Sequence, residues 1–191
     1  MSVSHLGWLV ALLVLLIVFY ALYVSLIRKK NRLKESASGI DVQLKKRYDL
    51  IPNLLTMAAK FMEHEKTLME EITKLRSDAM KVNFTENPAQ RFELENRLSS
   101  KIGEFRLSAE NYPDMKSNQA MINAMESLQD VEEHIAAARR FYNSNVTELK
   151  NAVEIFPSSL VAKLIGIKDE MPFFAAEEAA KERIDAQSFF K

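Results

Sequence analysis

The chain has 191 residues, 26 basic and 26 acidic, and its formal net charge of zero argues against a nucleic-acid partner, which would require a basic surface. It contains no cysteine, so disulfides, thiolate nucleophiles and cysteine-ligated zinc are excluded. Only four glycines and five prolines occur in a charged chain rich in Ala, Leu and Met, which indicates a mostly helical protein.

The first predicted element is a transmembrane helix over residues 6–27, a run that contains no charged side chain. At 1.5 Å per residue this run spans ~33 Å, which matches the ~30 Å hydrocarbon core of a bilayer. A cleaved signal peptide is the alternative, but residues 1–5 hold no Lys or Arg and the apolar run is too long for one. The lipid bilayer is therefore the first predicted partner.

Residues 28–39 are predicted to form a basic juxtamembrane linker. Positive charge beside a span favours the cytoplasmic side, so we expect residues 1–5 outside the membrane and the remainder of this single-pass chain inside. The same side chains are also suited to anionic lipid headgroups, although a role as topology signal is sufficient. The candidate lipid-headgroup residues are Arg28, Lys29, Lys30, Arg32 and Lys34.

Residues 40–191 are predicted to form an all-α antiparallel bundle of three main helices and a short C-terminal helical segment. The first main helix extends from Ile40 to about Ala79, with apolar residues three and four positions apart. Its apolar arc is wide, which indicates contact with two or more neighbouring helices. Arg47 and Glu65 fall inside this arc, which is unusual for long charged residues unless they are paired.

The stretch RYDLIPNLL, residues 47–55, is either a chemical site or an architectural joint. Pro52 removes the N–H that would bond to carbonyl 48, which bends the helix, and Asn53 or Arg47 can satisfy that carbonyl. Asp49 and Asn53 lie four residues apart on the polar side, available to a partner helix or a second protomer. The candidate joint and interaction residues are Asp41, Arg47, Asp49, Pro52 and Asn53.

The second main helix is predicted to follow the loop NFTENPAQ and to end at about Glu110. Asn87 is suited to cap this helix in a capping-box pattern, and Pro88 is suited to its first position. Tyr112 and Pro113 then interrupt the chain, because a residue before proline disfavours the helical conformation.

The third main helix is predicted over residues 117–155, with a seam whose 3.5-residue period indicates coiled-coil-like packing. Glu132 and Arg139 break this seam with opposite charges. These two residues either pair across helices with Glu65 or Arg47, or lie at a solvated edge of the seam. The seam consists of Met121, Met125, Leu128, Glu132, Ile135, Arg139, Tyr142, Val146, Leu149, Val153 and Phe156.

A short helix is predicted within the segment 160–168, with Ser158 or Ser159 as its cap and Gly166 at its end. The tail beyond it is rich in phenylalanine. These apolar clusters are expected to cover the open end of the bundle, and contact with the bilayer surface is the alternative. The phenylalanines concerned are Phe173, Phe174, Phe189 and Phe190.

Patterns that would indicate catalysis or metal binding are weak. His64 and Glu65 look like the start of a zincin motif, but no histidine stands three residues after Glu65. No nucleophile elbow or Gly-rich turn is present, although a triad assembled from distant positions would leave no such motif. We therefore predict a non-enzymatic protein with no catalytic, cofactor-binding or metal-binding residues, in which interaction surfaces carry the function.

Three segments resemble the LemA family, namely IDVQLKKRYDLIPNLL, ENYPDMKSNQAM and IAAARRFYNSNVTELKNAVEIFPSSLVAKLIGI, preceded by the apolar helix. The resemblance covers nearly the whole chain and is lost in the C-terminal tail. The positions that fit the family pattern are Asp41, Gln43, Arg47, Asp49, Leu50, Pro52, Asn53, Leu54, Tyr112, Pro113, Arg139, Tyr142, Asn143, Phe156 and Pro157.

The resemblance implies a bacterial helical bundle anchored in the cytoplasmic (inner) membrane and facing the cytoplasm. It does not supply an enzymatic activity, because the general molecular function of the family is not established, and it favours the architectural interpretation of RYDLIPNLL. Some members of the family are implicated in shaping membranes, including the magnetosome membrane, and some are encoded beside membrane proteases.

Three functions are consistent with this sequence. The first is a membrane-anchored scaffold that forms a homo-oligomer or organises the membrane. The second is an adaptor or regulator of a membrane protease or envelope-stress system, with another membrane protein as its partner. The third is an uncharacterised enzyme.

Overall fold

A computed structural model describes residues 3–84, 86–168 and 171–174, which form helices and connections with no β-strand among them. The fold is all-α, with a long apolar N-terminal helix and antiparallel bundle packing, which confirms the predicted fold class. The helices are α1 (Val3–Ala58), one turn of 3-10 helix (Glu63–Glu65), α2 (Lys66–Lys81), α3 (Pro88–Ala109), α4 (Pro113–Lys116), α5 (Gln119–Glu154) and α6 (Ser158–Ile165).

Helix α1 contains the apolar run and is long and apolar enough, by length and composition, to cross a membrane. Only 6% of its most apolar 18-residue window is buried, so this part of α1 is not the core helix of a soluble domain. Residues 28–39, predicted as a linker, continue the same helix without interruption. Within them Leu33 and Ser36 are buried, so one side of this basic segment packs against protein.

The described chain divides into two compact units, and α1 and α5 each contribute to both. Unit 1 contains the residues up to Ile40 together with Ala138–Phe173, and unit 2 contains Asp41–Ala137 with Phe174. Helices α1 and α5 run antiparallel. The first part of α1 and the last part of α5 therefore lie in the same unit.

Unit 1 is held together by apolar burial and a few polar contacts. Lys29 of α1 forms an ion pair with Glu148 of α5, with 3.0 Å between Nζ and Oε2. Tyr142 is fully buried, and its hydroxyl donates a hydrogen bond of 3.0 Å to the carbonyl of Pro172. The buried apolar residues of unit 1 are Leu26, Leu33, Ile40, Tyr142, Val146, Leu149, Val161, Ala162 and Ile167.

In unit 2, α1 ends at Ala58, so the prediction of one helix from Ile40 to about Ala79 is wrong. The chain turns at residues 59–65 and then forms α2. Met62 has non-helical backbone angles (φ −115°, ψ 56°), and its side chain is fully buried at this turn. Turning here lets α2 lie beside the second half of α1 and pack against α3.

The predicted helix ends are mostly close to the observed ones, but two predicted caps are wrong. Asn87 stands at the N-cap of α3 and makes no side-chain capping hydrogen bond, so Pro88 begins the helix without it. Helix α6 begins at Ser158 itself, whose hydroxyl donates backwards to the carbonyl of Ile155 (2.9 Å). Gly166 ends α6 in the left-handed conformation (φ +70°), as its freedom from a Cβ allows.

The C-terminal end of the predicted seam also differs from the structure. Phe156 lies beyond the end of α5, preceding a cis peptide bond to Pro157, and is 73% exposed rather than packed. Phe174 is buried in unit 2 and stacks on Phe92, with 3.9 Å between ring centroids. Phe189 and Phe190 lie outside the described residues, so their predicted role is neither shown nor contradicted.

Candidate functional site

The most unusual feature of unit 2 is a set of charged side chains inside the bundle. Arg47 of α1 and Glu95 of α3 have fully buried side chains, and the side chain of Glu132 in α5 is 21% exposed. Each stands in the stripe of its helix that otherwise carries apolar residues, at three- and four-residue spacing from buried neighbours. The three helices therefore bring one basic and two acidic groups to the same level of the bundle.

Arg47 is the centre of this arrangement. Its Nη2 donates to Oε2 of Glu95, and its Nη1 donates to Oε1 of Glu132 (2.9 Å) and to the hydroxyl of Ser99 (2.7 Å). Ser99 in turn donates to the other oxygen of Glu132 at 3.3 Å. The guanidinium thus meets a carboxylate on each of two neighbouring helices, which fixes α3 and α5 against α1.

Glu95 also connects Arg47 to a second arginine. Its Oε1 accepts a hydrogen bond from the Tyr48 hydroxyl and lies 2.8 Å from Nε of Arg91. The Arg91 guanidinium lies over the Tyr48 ring, 5.4 Å from its centroid, and forms a 3.4 Å ion pair with the exposed Asp41. We call Arg47, Tyr48, Arg91, Glu95 and Glu132 the buried ionic cluster.

Arg91 has a further role at the end of α2. Its Nη1 donates to the carbonyls of Ala79 and Val82, the latter at 2.8 Å. The last carbonyls of a helix have no partner within the helix, and a basic side chain satisfies them both as donor and as countercharge to the helix dipole. Arg91 therefore connects the end of α2 to the start of α3.

The charges of the buried ionic cluster balance, since two guanidinium groups face two carboxylates. Burial by itself would lower the pKa of Arg47, but Glu132 and Glu95 outweigh burial and raise that pKa above its ordinary value. Burial, together with the Glu95 carboxylate, raises the pKa of the Tyr48 hydroxyl above its usual range. Both pKa shifts favour a charged Arg47 and a neutral Tyr48 hydroxyl that donates to Glu95 at neutral pH.

The carbonyl that Pro52 frees is satisfied by a residue that the sequence did not indicate. The Tyr48 carbonyl accepts a hydrogen bond from Nε of Arg76 in α2, at 2.7 Å. The prediction that Asn53 or Arg47 fills this role is wrong, because Arg47 is committed to Glu95 and Glu132 and Asn53 faces outward. Pro52 itself lies inside α1, which continues to Ala58.

Asp49, Pro52 and Asn53 are all exposed and lie close together on the solvent side of α1. Thr56, also exposed, donates its hydroxyl to the carbonyl of Pro52 at 2.7 Å. We call the exposed residues Asp49, Pro52 and Asn53 the outer face of α1. RYDLIPNLL thus divides into a buried half, which belongs to the ionic cluster, and an exposed half, which leaves polar groups on the surface.

The other candidate residues occupy separate places. Glu65 is half-buried and accepts a 2.7 Å hydrogen bond from Ser108, and Arg139 is half-buried in unit 1. Tyr112 stands at the N-cap of α4 and Pro113 is its first residue. Half-buried Asn143 accepts a hydrogen bond from Thr147 through its carbonyl (3.0 Å), one turn along α5.

The basic residues next to the apolar run are not equivalent. Arg28, Lys30, Arg32 and Lys34 are exposed on α1. Lys29 is half-buried in its ion pair with Glu148, which connects α1 to α5 within unit 1. Arg28, Lys29 and Arg32 also line a surface groove that continues onto Tyr20 and Ala21 of the apolar run. Charged and apolar surface therefore meet along this side of α1.

Arg91 and Glu95 are members of the buried ionic cluster that sequence reasoning missed. Both lie on the stripe that continues through Leu98, Ile102 and Phe105, at spacings of four and three. The signal was therefore present, but an Arg and a Glu four residues apart usually form an exposed helical ion pair. Two charged residues in register with an apolar stripe were the indication of a buried pair.

The geometry favours an architectural role for the buried ionic cluster. Its guanidinium and carboxylate groups are directed at one another and at backbone carbonyls. Within residues 3–84, 86–168 and 171–174, no group of three or more His, Asp or Glu side chains is placed to hold a metal ion. A buried ion pair adds little net stability, but it penalises any packing that separates the partners. We interpret the buried ionic cluster as the feature that selects one packing register of the helices in unit 2.

Comparison with known proteins identifies a family and a relative within it. A family model described as the LemA family matches residues 36–187. A relative from Metamycoplasma hominis, named Protein LemA, is 23% identical over 175 residues, which cover 90% of this chain and 78% of that relative. The range matched by the family model contains the whole ionic cluster and the outer face of α1.

Proposed function

The chain belongs to the LemA family, and from that membership we propose that it is a membrane-anchored scaffold, a non-enzymatic protein that self-associates and thereby organises the bacterial cytoplasmic membrane. Family membership and the exposed apolar part of α1 support a membrane-associated protein. The LemA family is not known as an enzyme family, which agrees with a function carried by surfaces rather than by chemistry.

The observation that carries the proposal is the direct attachment of the apolar run to folded protein. Helix α1 continues from the run through residues 28–40 without a break, and Lys29 is paired with Glu148 of α5 in the same unit. A flexible tether would let a soluble domain search for distant partners. A packed helix instead holds unit 1 at the membrane surface, which suits lateral association of neighbouring copies.

The outer face of α1 supplies a surface for such association. Asp49 and Asn53 present polar groups to solvent, whereas Arg47 on the same helix is buried and hydrogen-bonded to Glu132 and Glu95. Exposed side chains of this kind contribute little to folding stability. Their substitution therefore tests assembly without a large effect on folding.

The test is a measurement of mass and melting on the full chain purified in detergent. We expect an oligomer for the wild type, and a smaller particle with an unchanged melting temperature for Asp49→Ala/Asn53→Ala. Glu93→Ala, which removes an exposed carboxylate from α3, is the matched control and should leave both quantities unchanged.

Two results would contradict the proposal. If the double variant melts early but assembles normally, the outer face of α1 only maintains the fold. If the wild type is a monomer that co-purifies with another membrane protein, the chain is an adaptor. For an adaptor, images of native membranes that contain the full chain would show no ordered array of copies.

A further inference from the structure

The segment that follows α5, residues 155–165 including α6, exposes several large apolar side chains. Ile155 is 58% exposed, Phe156 73%, Leu160 55% and Leu164 76%. We call these four residues the apolar tip. Several exposed large apolar side chains within ten residues of one another are typical of a contact site for protein or membrane.

Helix α6 carries apolar residues on two opposite sides. Val161 and Ala162 are buried within unit 1, while Leu160 and Leu164 point outward. Between residues 155 and 165 the sole charged side chain is Lys163, which is exposed. A helix that covers its own core with one side and still presents leucines on the other has a second apolar environment to meet.

The position of the apolar tip along α1 indicates which environment this is. The pair Lys29–Glu148 sets the level of the two antiparallel helices within unit 1. Helix α5 ends at Glu154, six residues after Glu148 and thus about 9 Å further along its axis. Six residues before Lys29 stands Tyr23, which lies inside the apolar run over residues 6–27. The apolar tip therefore begins at the level of the membrane-spanning run.

We propose that the apolar tip inserts into the half of the bilayer next to the bundle, beside α1, and takes lipid acyl chains as its ligand. This inference rests on the membrane anchoring in the proposed function and does not require self-association. Lys163 suits such a site, because its long aliphatic stem can follow the apolar surface while its ammonium group reaches the lipid phosphates. The basic residues from Arg28 to Lys34 lie where the same headgroups would be.

The absence of cysteine from the natural chain allows a direct test with single-cysteine variants. The full chain, labelled with a small fluorophore at Leu164→Cys, is reconstituted into vesicles of phosphatidylcholine and phosphatidylglycerol with or without nitroxide-labelled lipid. Leu107→Cys is the matched control, since Leu107 is a leucine of α3 in unit 2 that is 70% exposed. Leu16→Cys, in the apolar run, reports the anchor itself.

We expect the lipid nitroxide to remove most of the fluorescence at positions 164 and 16 and to leave position 107 unchanged. Quenching at position 16 with none at 164 overturns the inference while the anchor stands. Quenching at neither position overturns the inference together with membrane anchoring. A monomeric protein that is quenched at 164 supports the inference and contradicts the scaffold.

A second copy of the chain is the other occupant that the same variants detect. Nitroxide-labelled Leu164→Cys protein is mixed with fluorophore-labelled Leu164→Cys protein in vesicles without nitroxide lipid. Strong quenching between copies, combined with none by nitroxide lipid, means that protein rather than lipid covers the apolar tip and overturns the inference.

Discussion

At the scale of single residues, one buried arginine connects three helices of unit 2. Arg47 is fully buried and meets Glu95 and Glu132 on two different helices. The desolvation of these charges has already been offset by their mutual attraction and by hydrogen bonds from Ser99 and Tyr48. Removal of one partner leaves the desolvation without the attraction, so the cost of a single substitution exceeds what the intact pair contributes.

Arg47→Leu should therefore destabilise the bundle by ~3–5 kcal/mol, because Glu132 loses its counter-charge and Glu95, which keeps Arg91, loses one of two. Chemical unfolding of the detergent-solubilised full chain measures this loss. Lys46→Leu, at an exposed neighbour on the same helix, should change stability by less than about 0.5 kcal/mol. If the two variants lose similar free energies of unfolding, the ion pairs of Arg47 with Glu95 and Glu132 do not account for the loss.

Tyr48→Phe should cost about 1–3 kcal/mol at neutral pH, because Glu95 loses one of its buried donors. The raised pKa of Tyr48 also gives a pH dependence. Above pH ~10 the unfolded phenol releases its proton while the folded one keeps it, so unfolding becomes easier as pH rises.

The wild type should lose stability above pH ~10 more steeply than Tyr48→Phe, by up to about 1.4 kcal/mol per pH unit. Urea unfolding at a series of pH values from neutral to alkaline measures the two slopes. Parallel curves for wild type and variant would mean that the Tyr48 hydroxyl titrates as it does in the unfolded chain.

At the scale of elements, periodicity predicted most of the helices but failed where the chain turns without glycine or proline. Apolar spacing predicted α3 and α5 to within a few residues, and the uncharged run predicted the start of α1. From Met62 to Leu68 the spacing is six residues, which breaks the three-four rule and marks the turn before α2. Residues 59–65 contain no glycine or proline, so this gap in the apolar spacing is the signal that the sequence offers for the turn, in which the Met62 side chain is fully buried.

The candidate site was predictable only in part. The position of Arg47 in an apolar stripe indicated a partner, and Glu132 was one of the partners left open. The roles of Glu95 as a partner of Arg47 and of Arg76 as a donor to the Tyr48 carbonyl depend on how α3 and α2 pack against α1. Periodicity does not specify that packing. Tertiary geometry, rather than any local pattern, decides which of many charged residues reach a given carbonyl or guanidinium.

The contact between α1 and α2 gives a prediction at this scale. Arg76→Ala should cost about 1–3 kcal/mol, because the Tyr48 carbonyl loses its donor and Pro52 supplies no N–H in its place. In a Pro52→Ala background the new N–H can bond to that carbonyl, so the same substitution should cost less. A double-mutant cycle measured by unfolding gives the coupling, and equal losses in both backgrounds would contradict this account.

At the scale of the whole molecule, the chain combines a membrane-associated run with a helical bundle of the LemA family. All five basic residues near the apolar run lie between Arg28 and Lys34, and none precedes it. Charge asymmetry of this kind favours the cytoplasmic side for the basic residues, which makes the orientation of the chain a testable prediction.

We therefore expect Ser4→Cys to react with a membrane-impermeant thiol reagent in intact cells, and Asn87→Cys to react only after permeabilisation. The cysteine-free wild type is the background control. The reverse pattern of labelling would place the bundle outside the membrane.

The buried ionic cluster also constrains how the chain can change over generations. If a relative loses one charged residue of the cluster, the partner is left as an unpaired buried charge and stability falls. Simultaneous replacement of all these charges by apolar residues of similar volume often leaves stability unchanged. Arg47, Glu95 and Glu132 should therefore be inherited, or replaced, as a block, while exposed Lys46 varies independently. An alignment of relatives in which Glu95 becomes apolar and Arg47 persists would contradict this expectation.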